Sequence, residues 1–350
     1  MNGVSLFSSA GIAEYYLKSS NIEICVANEL IEERAKLYKA QYPHAKMICG
    51  DILDDEVFNE IIKNSPNKVE FLLASPPCQG MSVAGKNRNN DEMLNDKRNF
   101  LVFRVIEFIK IKKPDFILIE NVPNFLKLEF SFNNKMLKIE QILKELFCEY
   151  EIRADIYDAA DYGVAQFRKR AIIKMYKKGL KWGEPSKEKY ISIKKAIGNL
   201  PSLEANEKSN IKWHFARNHS KMHIECMTHT ASGKSAFENK KFYPISKNGK
   251  KIKAYNTTYR RMKWDEPAPT ITMRNDAISS QQNVHPGRKK PDGTYSDARV
   301  LTPLELMILS SLPKNWAIPD DTPELLIRKC LGECIPPLLI QKITQKIGEL

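Results

Sequence analysis

The sequence lacks the features that place a protein in or across a membrane. No stretch of its 350 residues approaches the ~18–20 consecutive apolar residues that a spanning helix needs. The first residues also lack the basic segment and apolar run of a secretory signal. We therefore expect a cytoplasmic protein without membrane contact.

Paired cysteine motifs are also missing. The chain has seven cysteines, an odd number, and none stand in a CxxC arrangement. Disulfide frameworks of secreted proteins and common zinc motifs use paired cysteines at short spacings. We expect free thiols in a reducing compartment, most of them packed in the interior.

The positive charge is concentrated in one part of the chain. At about 150 residues per domain, the length predicts two domains. The net charge is +13, and residues 180–299 alone carry 24 Lys/Arg against 11 Asp/Glu, whereas residues 1–179 carry 26 against 25. A solvated lysine-rich surface is one interpretation. Because the excess is confined to one segment, we favour a module that binds a polyanion, most often nucleic acid.

The first 175 residues alternate short apolar runs with amphipathic stretches. The runs predict strands at 4–7, 22–28, 46–52, 71–75, 116–121 and 171–176. Helical spacing predicts helices at 29–42, 54–65, 98–112 and 135–148. This alternation is typical of an α/β fold with a doubly wound, mostly parallel sheet, in which ligands bind at the carboxyl ends of the strands.

The composition and the periodicity of the sequence change after about residue 180. The segment becomes polar, lysine-rich and weakly periodic, and a helical pattern returns at 323–349. We therefore predict a first domain at 1–180, completed by 323–350, and a smaller basic domain at 181–315.

The strongest chemical signal is Cys78 in the segment ASPPCQGMS, directly after an apolar strand. Prolines before the cysteine and a glycine after it suit a loop that holds a reactive thiolate. A buried structural cysteine is the alternative.

Two further strand ends carry charged side chains. Glu120 directly follows the apolar residues of the run FILIEN, where desolvation could make its carboxyl a proton donor, although a helix-capping or salt-bridging glutamate is the alternative. Arg168 and Arg170 stand two residues apart and so on one side of an extended chain, where they could hold a substrate oxygen. A solvated charge cluster is equally consistent with RKR alone.

Together, in order and spacing, these motifs resemble those of the cytosine-5 DNA methyltransferases. The resemblance covers 4–176 and 257–343 and is carried by LFSSAG (6–11), PPCQG (76–80), ENV (120–122), QFRKR (166–170), PAPTIT (267–272), RVLTPLE (299–305) and GECIPP (332–337).

The resemblance implies a Rossmann-like catalytic domain, a separate target-recognition domain and a defined chemistry. Cys78 would attack C6 of a cytosine flipped out of the duplex, and C5 would then take a methyl group from S-adenosyl-L-methionine. Glu120 would contact the N3/N4 edge and help to protonate N3. Arg170 would hold O2, with Arg168 supporting its loop. A base would then remove the C5 proton, and Cys78 would leave.

The resemblance also implies a set of cofactor contacts. Glu29 would bind the ribose hydroxyls and Asp51 the adenine amino group, although both acids also suit helix N-termini. The full set comprises Phe7, Ala10, Gly11, Ile12, Glu29, Leu30, Asp51, Ile52, Pro77, Leu101, Cys334 and Ile335. Four positions depart from the family pattern, namely Ser9 and Ile12 in place of glycines, Ala165 in place of proline and Glu333 in place of asparagine.

Four histidines and Cys226 lie within residues 214–229. Their spacing fits no common zinc motif, and in a basic region they suit phosphate contact or a small core better. We predict no metal site.

Three functions stay open from the sequence. The first is a double-stranded DNA methyltransferase of the prokaryotic restriction–modification type. It would act as a monomer on DNA, associate with the nucleoid when bound, and share its site with a possible cognate restriction endonuclease. The second is an RNA methyltransferase of the same fold, although its Cys-Phe-Thr signature is missing. The third is a DNA-binding homologue that has lost cofactor binding through Ser9, Ile12 and Glu333.

Overall fold

The computed structural model describes residues 1–77, 101–246 and 248–349. Its centre is a seven-stranded sheet in the order β3-β2-β1-β4-β5-β9-β8, accompanied by a two-stranded sheet, β6-β7. The strands are β1 (Asn2–Leu6), β2 (Glu23–Glu29), β3 (Lys46–Cys49), β4 (Phe71–Ala74), β5 (Phe116–Asn121), β6 (Glu129–Phe132), β7 (Lys135–Lys138), β8 (Tyr150–Asp158) and β9 (Lys169–Lys177).

The sheet is mostly parallel, as the alternating sequence pattern predicts. Strands β1 to β5 run parallel, whereas β9 is antiparallel to both β5 and β8. Leu6 pairs with both Asn28 and Ala74, so β1, β2 and β4 end at one level. Because the strand order reverses at β1, this edge is where an open α/β sheet binds ligands.

Helices cover both faces of the sheet. They are α1 (Glu32–Gln41), α2 (Asp55–Asn64), α3 (Leu101–Lys112), α4 (Ile139–Leu146), α5 (Ile193–Ile197), α6 (Lys221–Thr228), α7 (Pro303–Leu309), α8 (Glu324–Glu333) and α9 (Pro337–Thr344). Short 3-10 helices span Leu17–Ser20, Pro123–Lys127, Ala159–Tyr162 and Ala236–Glu238. No helix within the described ranges is both long and apolar enough to cross a membrane.

Strand β4 shows why these runs form buried strands. Leu72 and Ala74 face a core shared with α2, α3 and α4, whereas Phe71 and Leu73 face a core shared with α1 and α9. Because both faces of the sheet are covered, every position of the strand is apolar, and the two-residue alternation decides which of the two cores each side chain enters. The indole of Trp182 donates to the Ile343 carbonyl at 2.9 Å and ties α9 to the second core.

One predicted helix is partly wrong. The pattern at 135–148 predicts helix throughout, but Lys135–Lys138 forms β7 and the helix begins at Ile139. Asn133 and Asn134 have φ values of 49° and 59°, the left-handed pair that a tight hairpin turn requires. The asparagine pair therefore folds 129–138 into a hairpin. Strand β8 was missed, although Tyr150, Ile152, Ala154 and Ile156 alternate with polar residues as they do in a half-buried strand.

The C-terminal half contributes two further cores. One joins residues of the 193–331 region to Ala10, Ile12 and Leu37 beside the first strand. The other is formed by residues between Cys226 and Val300. The division into domains at 180/181 and 315 stays a prediction. The six cysteines that the structure describes are free thiols, as expected.

Candidate active site

The carboxyl ends of the central strands open into a large cleft. Its volume is about 2460 Å³, beyond the ~300–1,000 Å³ of a typical small-molecule pocket. Its lining comes from the strand ends of the sheet, from 256–282 and from the end of α8. The space therefore suits a small ligand together with part of a larger one.

Glu120 and Arg170 form an ion pair in this cleft. Glu120 lies near the end of β5 and Arg170 near the start of the antiparallel strand β9, so the two strands bring them together. Nε of Arg170 lies 2.7 Å from Oε1 of Glu120, and both side chains are about nine-tenths buried. Nη1 of Arg170 donates to the Lys169 carbonyl, and Nη2 bonds to no described residue. The guanidinium thus has donors that no described residue takes up and that a substrate could use.

Burial controls the protonation of Glu120. Desolvation raises the pKa of its carboxyl, while the charges of Arg170 and Arg168 oppose the shift. A carboxyl with a raised pKa holds its proton nearer to neutral pH than an exposed glutamate does. Its chemistry therefore fits a general acid.

Arg168 has a different environment from Arg170. It is 1% exposed, and its guanidinium donates to the carbonyls of Ile271 at 2.7 Å and Gly332 at 2.9 Å. Gly332 packs so tightly that a Cβ there would lie 2.4 Å from the Thr272 carbonyl oxygen. Arg168 therefore joins three separate motifs and supports the loop of Arg170, consistent with the supporting role that the resemblance implies.

The loop after β4 leads towards Cys78, which lies outside the described residues. Nδ2 of Asn121 donates to the Pro76 carbonyl at 3.0 Å, and Oγ of Ser75 donates to the Phe7 carbonyl at 3.1 Å. The chain entering the cysteine motif is thus attached to the ends of both β5 and β1.

The turn after β1 has an unusual backbone. Phe7, Ser9 and Gly11 have φ values of 60°, 48° and 72°, all in the left-handed region. Gly11 is required there, because an added Cβ would lie 2.4 Å from the ring of Tyr42. Ser9 adopts a conformation that favours glycine, the residue the family pattern has at this position. Its hydroxyl is buried and bonds to no described residue.

Glu29 holds this turn at the end of β2. Its carboxylate accepts from the backbone N–H of Ser9 at 2.8 Å and of Ile31 at 2.9 Å. Each carboxylate oxygen has further lone pairs, so hydroxyl donors of a ligand could be accepted as well. Asp51, in contrast, is exposed, and its carboxylate accepts from the Leu53 N–H at 2.9 Å.

Ten of the twelve predicted cofactor residues line the cleft. They are Phe7, Ile12, Glu29, Leu30, Asp51, Ile52, Pro77, Leu101, Cys334 and Ile335. Ala10 and Gly11 do not, since they lie behind the turn, Ala10 in a core and Gly11 against Tyr38 and Tyr42. Glu29 offers a carboxylate that can accept from hydroxyl groups, and Asp51 offers a second, exposed carboxylate. With the apolar walls at the same sheet edge, these acids fit a nucleoside-like ligand.

The departure at Glu333 creates an ion pair. Its carboxylate lies 2.7 Å from a guanidinium nitrogen of Arg34 on α1, and both residues line the cleft. The extra carboxylate is therefore neutralised within the protein. The sequence patterns did not single out Arg34, because a helix surface arginine has no distinctive signal.

Arg217, Arg260, Arg261 and Arg274 are the arginines between residues 180 and 280, and they are the expected candidates for reading guanine, because the guanidinium fork matches O6 and N7. They differ sharply in accessibility. Arg261 is 1% exposed, and its guanidinium donates to the carbonyls of Met227, His285, Ser296 and Asp297. The prediction that Arg261 reads bases is therefore wrong, because its guanidinium is buried and already donates to backbone carbonyls.

Of the other candidates, Arg217 pairs with Glu324 at 2.9 Å. Arg260 donates to the carbonyls of Asn256 and Gly233 and to Glu238. Arg274 is exposed, lines the cleft and bonds through its side chain to no described residue. Arg274 lies just after the family motif PAPTIT and is therefore the least expected of the four to read bases. It is nevertheless the one whose side chain has the fewest partners among the described residues.

The histidines at 214–229 serve the packing of the basic segment. His214 is fully buried between Thr302 and the Pro201 carbonyl, His223 bonds to the Tyr259 hydroxyl, and His229 stacks on Phe242 at 3.8 Å. Within the described ranges, no three His, Cys, Asp or Glu side chains cluster closely enough to hold a metal ion. These positions fit the small-core interpretation.

Comparisons with known proteins identify the family of this chain. The family model of the C-5 cytosine-specific DNA methylases matches residues 1–349. The type II methyltransferase M1.HgaI of Avibacterium volantium is 60% identical over 347 residues, covering 99% of this chain and 97% of that protein. M1.HphI of Haemophilus parahaemolyticus is 27% identical, covering 98% and 86%.

Solved structures share the fold. A prophage-encoded E. coli protein, whose name describes it as a DNA modification methyltransferase, superimposes with a TM-score of 0.72 at 18% identity, covering 99% of this chain and 98% of that one. The methyltransferase EhMeth of Entamoeba histolytica gives 0.63 at 17% identity, covering 98% and 96%. The family match confirms the DNA cytosine-5 methyltransferase activity of the first functional hypothesis. The chain belongs to the C-5 cytosine-specific DNA methylases and is a DNA cytosine-5 methyltransferase.

Proposed function

We propose that this enzyme methylates a flipped cytosine through a covalent adduct between Cys78 and C6, with Glu120 and Arg170 holding the base. The observation that carries the proposal is the buried Glu120–Arg170 pair at the mouth of the sheet. The Asn121–Pro76 hydrogen bond attaches the chain that enters the Cys78 motif to the same strand as Glu120.

Glu120 supplies the proton that the addition step requires. When the Cys78 thiolate adds to C6, electron density moves onto the ring and N3 becomes more basic. A carboxylic acid whose pKa is raised by burial can donate a proton to N3 at that moment. The same carboxyl can accept from the N4 amino group, which favours cytosine over thymine.

Arg170 orients the base and stabilises its charge. Its remaining N–H groups are donors, and O2 of cytosine is an acceptor. Arg168 contributes indirectly, because its bonds to Ile271 and Gly332 hold the strand that carries Arg170.

We assign the cofactor S-adenosyl-L-methionine to the end of the cleft formed by the turn after β1. When bound, it supplies the methyl group. Glu29 would accept from its ribose hydroxyls and Asp51 from its adenine amino group, with Phe7, Pro77 and Leu101 along the apolar walls. The polar edge and apolar walls at this end of the cleft support the assignment.

The biological setting follows from the relatives. Their type II names support a role in a restriction–modification system, with a cognate endonuclease acting on the same DNA site. We further propose that the basic segment forms a recognition domain bounded near residues 181 and 315, and that the enzyme acts as a monomer on DNA in the cytoplasm.

The test is Cys78→Ser, with Cys148→Ser as the matched control, because Cys148 is exposed and does not line the cleft. We expect the first variant to bind DNA but to transfer no methyl group, and the second to retain activity. A DNA substrate carrying 5-fluorocytosine should trap wild type and Cys148→Ser, but not Cys78→Ser, in a complex that survives denaturation. Methylation by Cys78→Ser, or a cross-link through another cysteine, would contradict the proposal.

A further inference from the structure

Two neighbouring loops from the C-terminal half line the cleft, residues 255–258 and 279–282. We call them the paired loops. Thr258 and Gln281 form an antiparallel bridge, and the Gln282 N–H donates to the Thr257 carbonyl at 2.7 Å. Residues of both loops line the same cleft as Glu120 and Arg170. A large ligand that fills the cleft therefore meets the paired loops as one surface.

The base of the second loop is firmly held. The buried amide of Asn275 donates to the carbonyls of Thr272 at 2.7 Å and Arg328 at 2.9 Å. The buried amide of Asn283 donates to the Ala277 carbonyl at 2.9 Å. Because the loop is fixed at both ends, little ordering remains to be done when a ligand binds, which favours a specific contact.

The glutamines of this loop are available to a ligand. Gln281 is exposed and Gln282 half-buried, and neither side-chain amide hydrogen-bonds to a described residue. Gln282 also has a φ of 44°, a left-handed conformation that is uncommon for residues other than glycine, asparagine and aspartate. The bond to Thr257 holds it there. Strained, unpaired polar residues lining a binding cleft point to a role in binding.

We propose that Gln281 and Gln282 determine sequence specificity by reading the major-groove edge of an adenine near the target cytosine. The inference rests on the proposed function and adds the base that these residues select. A glutamine amide presents one acceptor and a donor group side by side. Adenine presents the complementary pair, the N6 donor and the N7 acceptor, whereas guanine presents two acceptors. The recognised site should therefore contain an A·T pair.

The experiment uses the full-length enzyme and DNA without cytosine methylation. The DNA is methylated in vitro, converted with bisulfite and sequenced, so that the consensus around each methylated cytosine is obtained directly. Wild type is compared with Gln281→Ala and Gln282→Gly, the second chosen because glycine tolerates the left-handed backbone. Gln345→Ala is the matched control, since Gln345 is exposed and lies outside the cleft.

We expect the cleft variants to methylate the same cytosine with discrimination at one A·T position reduced about 5- to 150-fold. Gln281→Glu keeps the size of the side chain but only accepts, so it should shift that preference from adenine towards cytosine. Thermal unfolding of each variant controls for folding. An unchanged consensus, or relaxation only at G·C positions, would overturn the inference. Absence of cytosine methylation by wild type would instead contradict the proposed function.

Discussion

Arg170 Nε and Glu120 Oε1 lie 2.7 Å apart across the antiparallel pair β9–β5. This pairing depends on the reversed direction of β9, because its first residues meet the last residues of β5. The arginine lowers the cost of burying a carboxyl, and burial keeps that carboxyl ready to hold a proton. One strand reversal therefore accounts for the electrostatics of the site.

Replacing Glu120 tests its role as acid. Glu120→Gln keeps the volume but removes the transferable proton, so we expect the methylation rate to fall ~10²–10⁴-fold. Glu333→Gln is the matched control, because Glu333 also lines the cleft and also pairs with an arginine at 2.7 Å. It should retain most of its activity. Equal losses in single-turnover assays would mean that only the local charge matters.

Glu14 should make stability depend on pH. It lies 3% exposed beneath the turn after β1, accepts from Oγ of Ser5 at 2.5 Å, and burial raises its pKa to about 7. Below pH 4.5, the ordinary pKa of this carboxyl, Glu14 is protonated in both the folded and the unfolded state. Burying it therefore costs no stability from an ionised carboxylate at those pH values. As pH rises to 7 the folded state loses about 3 kcal/mol relative to the unfolded state.

Glu14→Gln removes this titration while keeping an acceptor for Ser5. We expect its advantage over wild type in free energy of unfolding to grow from pH 5 to pH 8 in urea titrations. Glu32→Gln, at an exposed glutamate paired with Lys36, is the control and should follow wild type. Parallel curves for Glu14→Gln and wild type would show that the carboxyl is ionised throughout.

Replacing Arg261 should lower the stability of the protein, whereas replacing Arg274 should weaken DNA recognition. Arg261→Ala leaves four buried carbonyl groups without their donor, and we expect a loss of about 3 kcal/mol or more in stability. Arg274→Ala should leave the melting temperature unchanged but weaken specific DNA binding by ~1–3 kcal/mol if a guanine is contacted. The reverse pattern in melting and binding assays would exclude this division.

The charge of residues 180–299 should appear as salt dependence. Roughly 5–8 phosphate contacts would give a slope of about −0.9 per contact in a plot of log affinity against log salt. Replacing a single exposed lysine, for example by Lys253→Ala, should make the slope less steep by about 0.9, the share of one phosphate contact. The sequence preference should not change. A slope near zero for the full-length enzyme would mean that the charge excess is only a solvated surface.

Local sequence predicted the sheet well because buried parallel strands are short, apolar and bounded by polar turns. It failed at 135–138, where helical spacing and a hairpin turn compete and the left-handed conformation of Asn133 and Asn134 favours the hairpin. It also misjudged Arg261. The sequence around an arginine does not reveal whether distant carbonyls, such as those of His285 and Ser296, will surround it.

The sequence by itself determined the family, the α/β alternation and the strand ends at which acids and arginines stand, because each of these is written in contiguous motifs. Only the tertiary structure decided which charges are free. It paired Glu120 with Arg170 and Arg34 with Glu333, buried Arg168 and Arg261, and placed Gln281 and Gln282 in the cleft. The physical reason is that burial and pairing depend on residues far apart in the chain, and these decide the protonation and accessibility of each group.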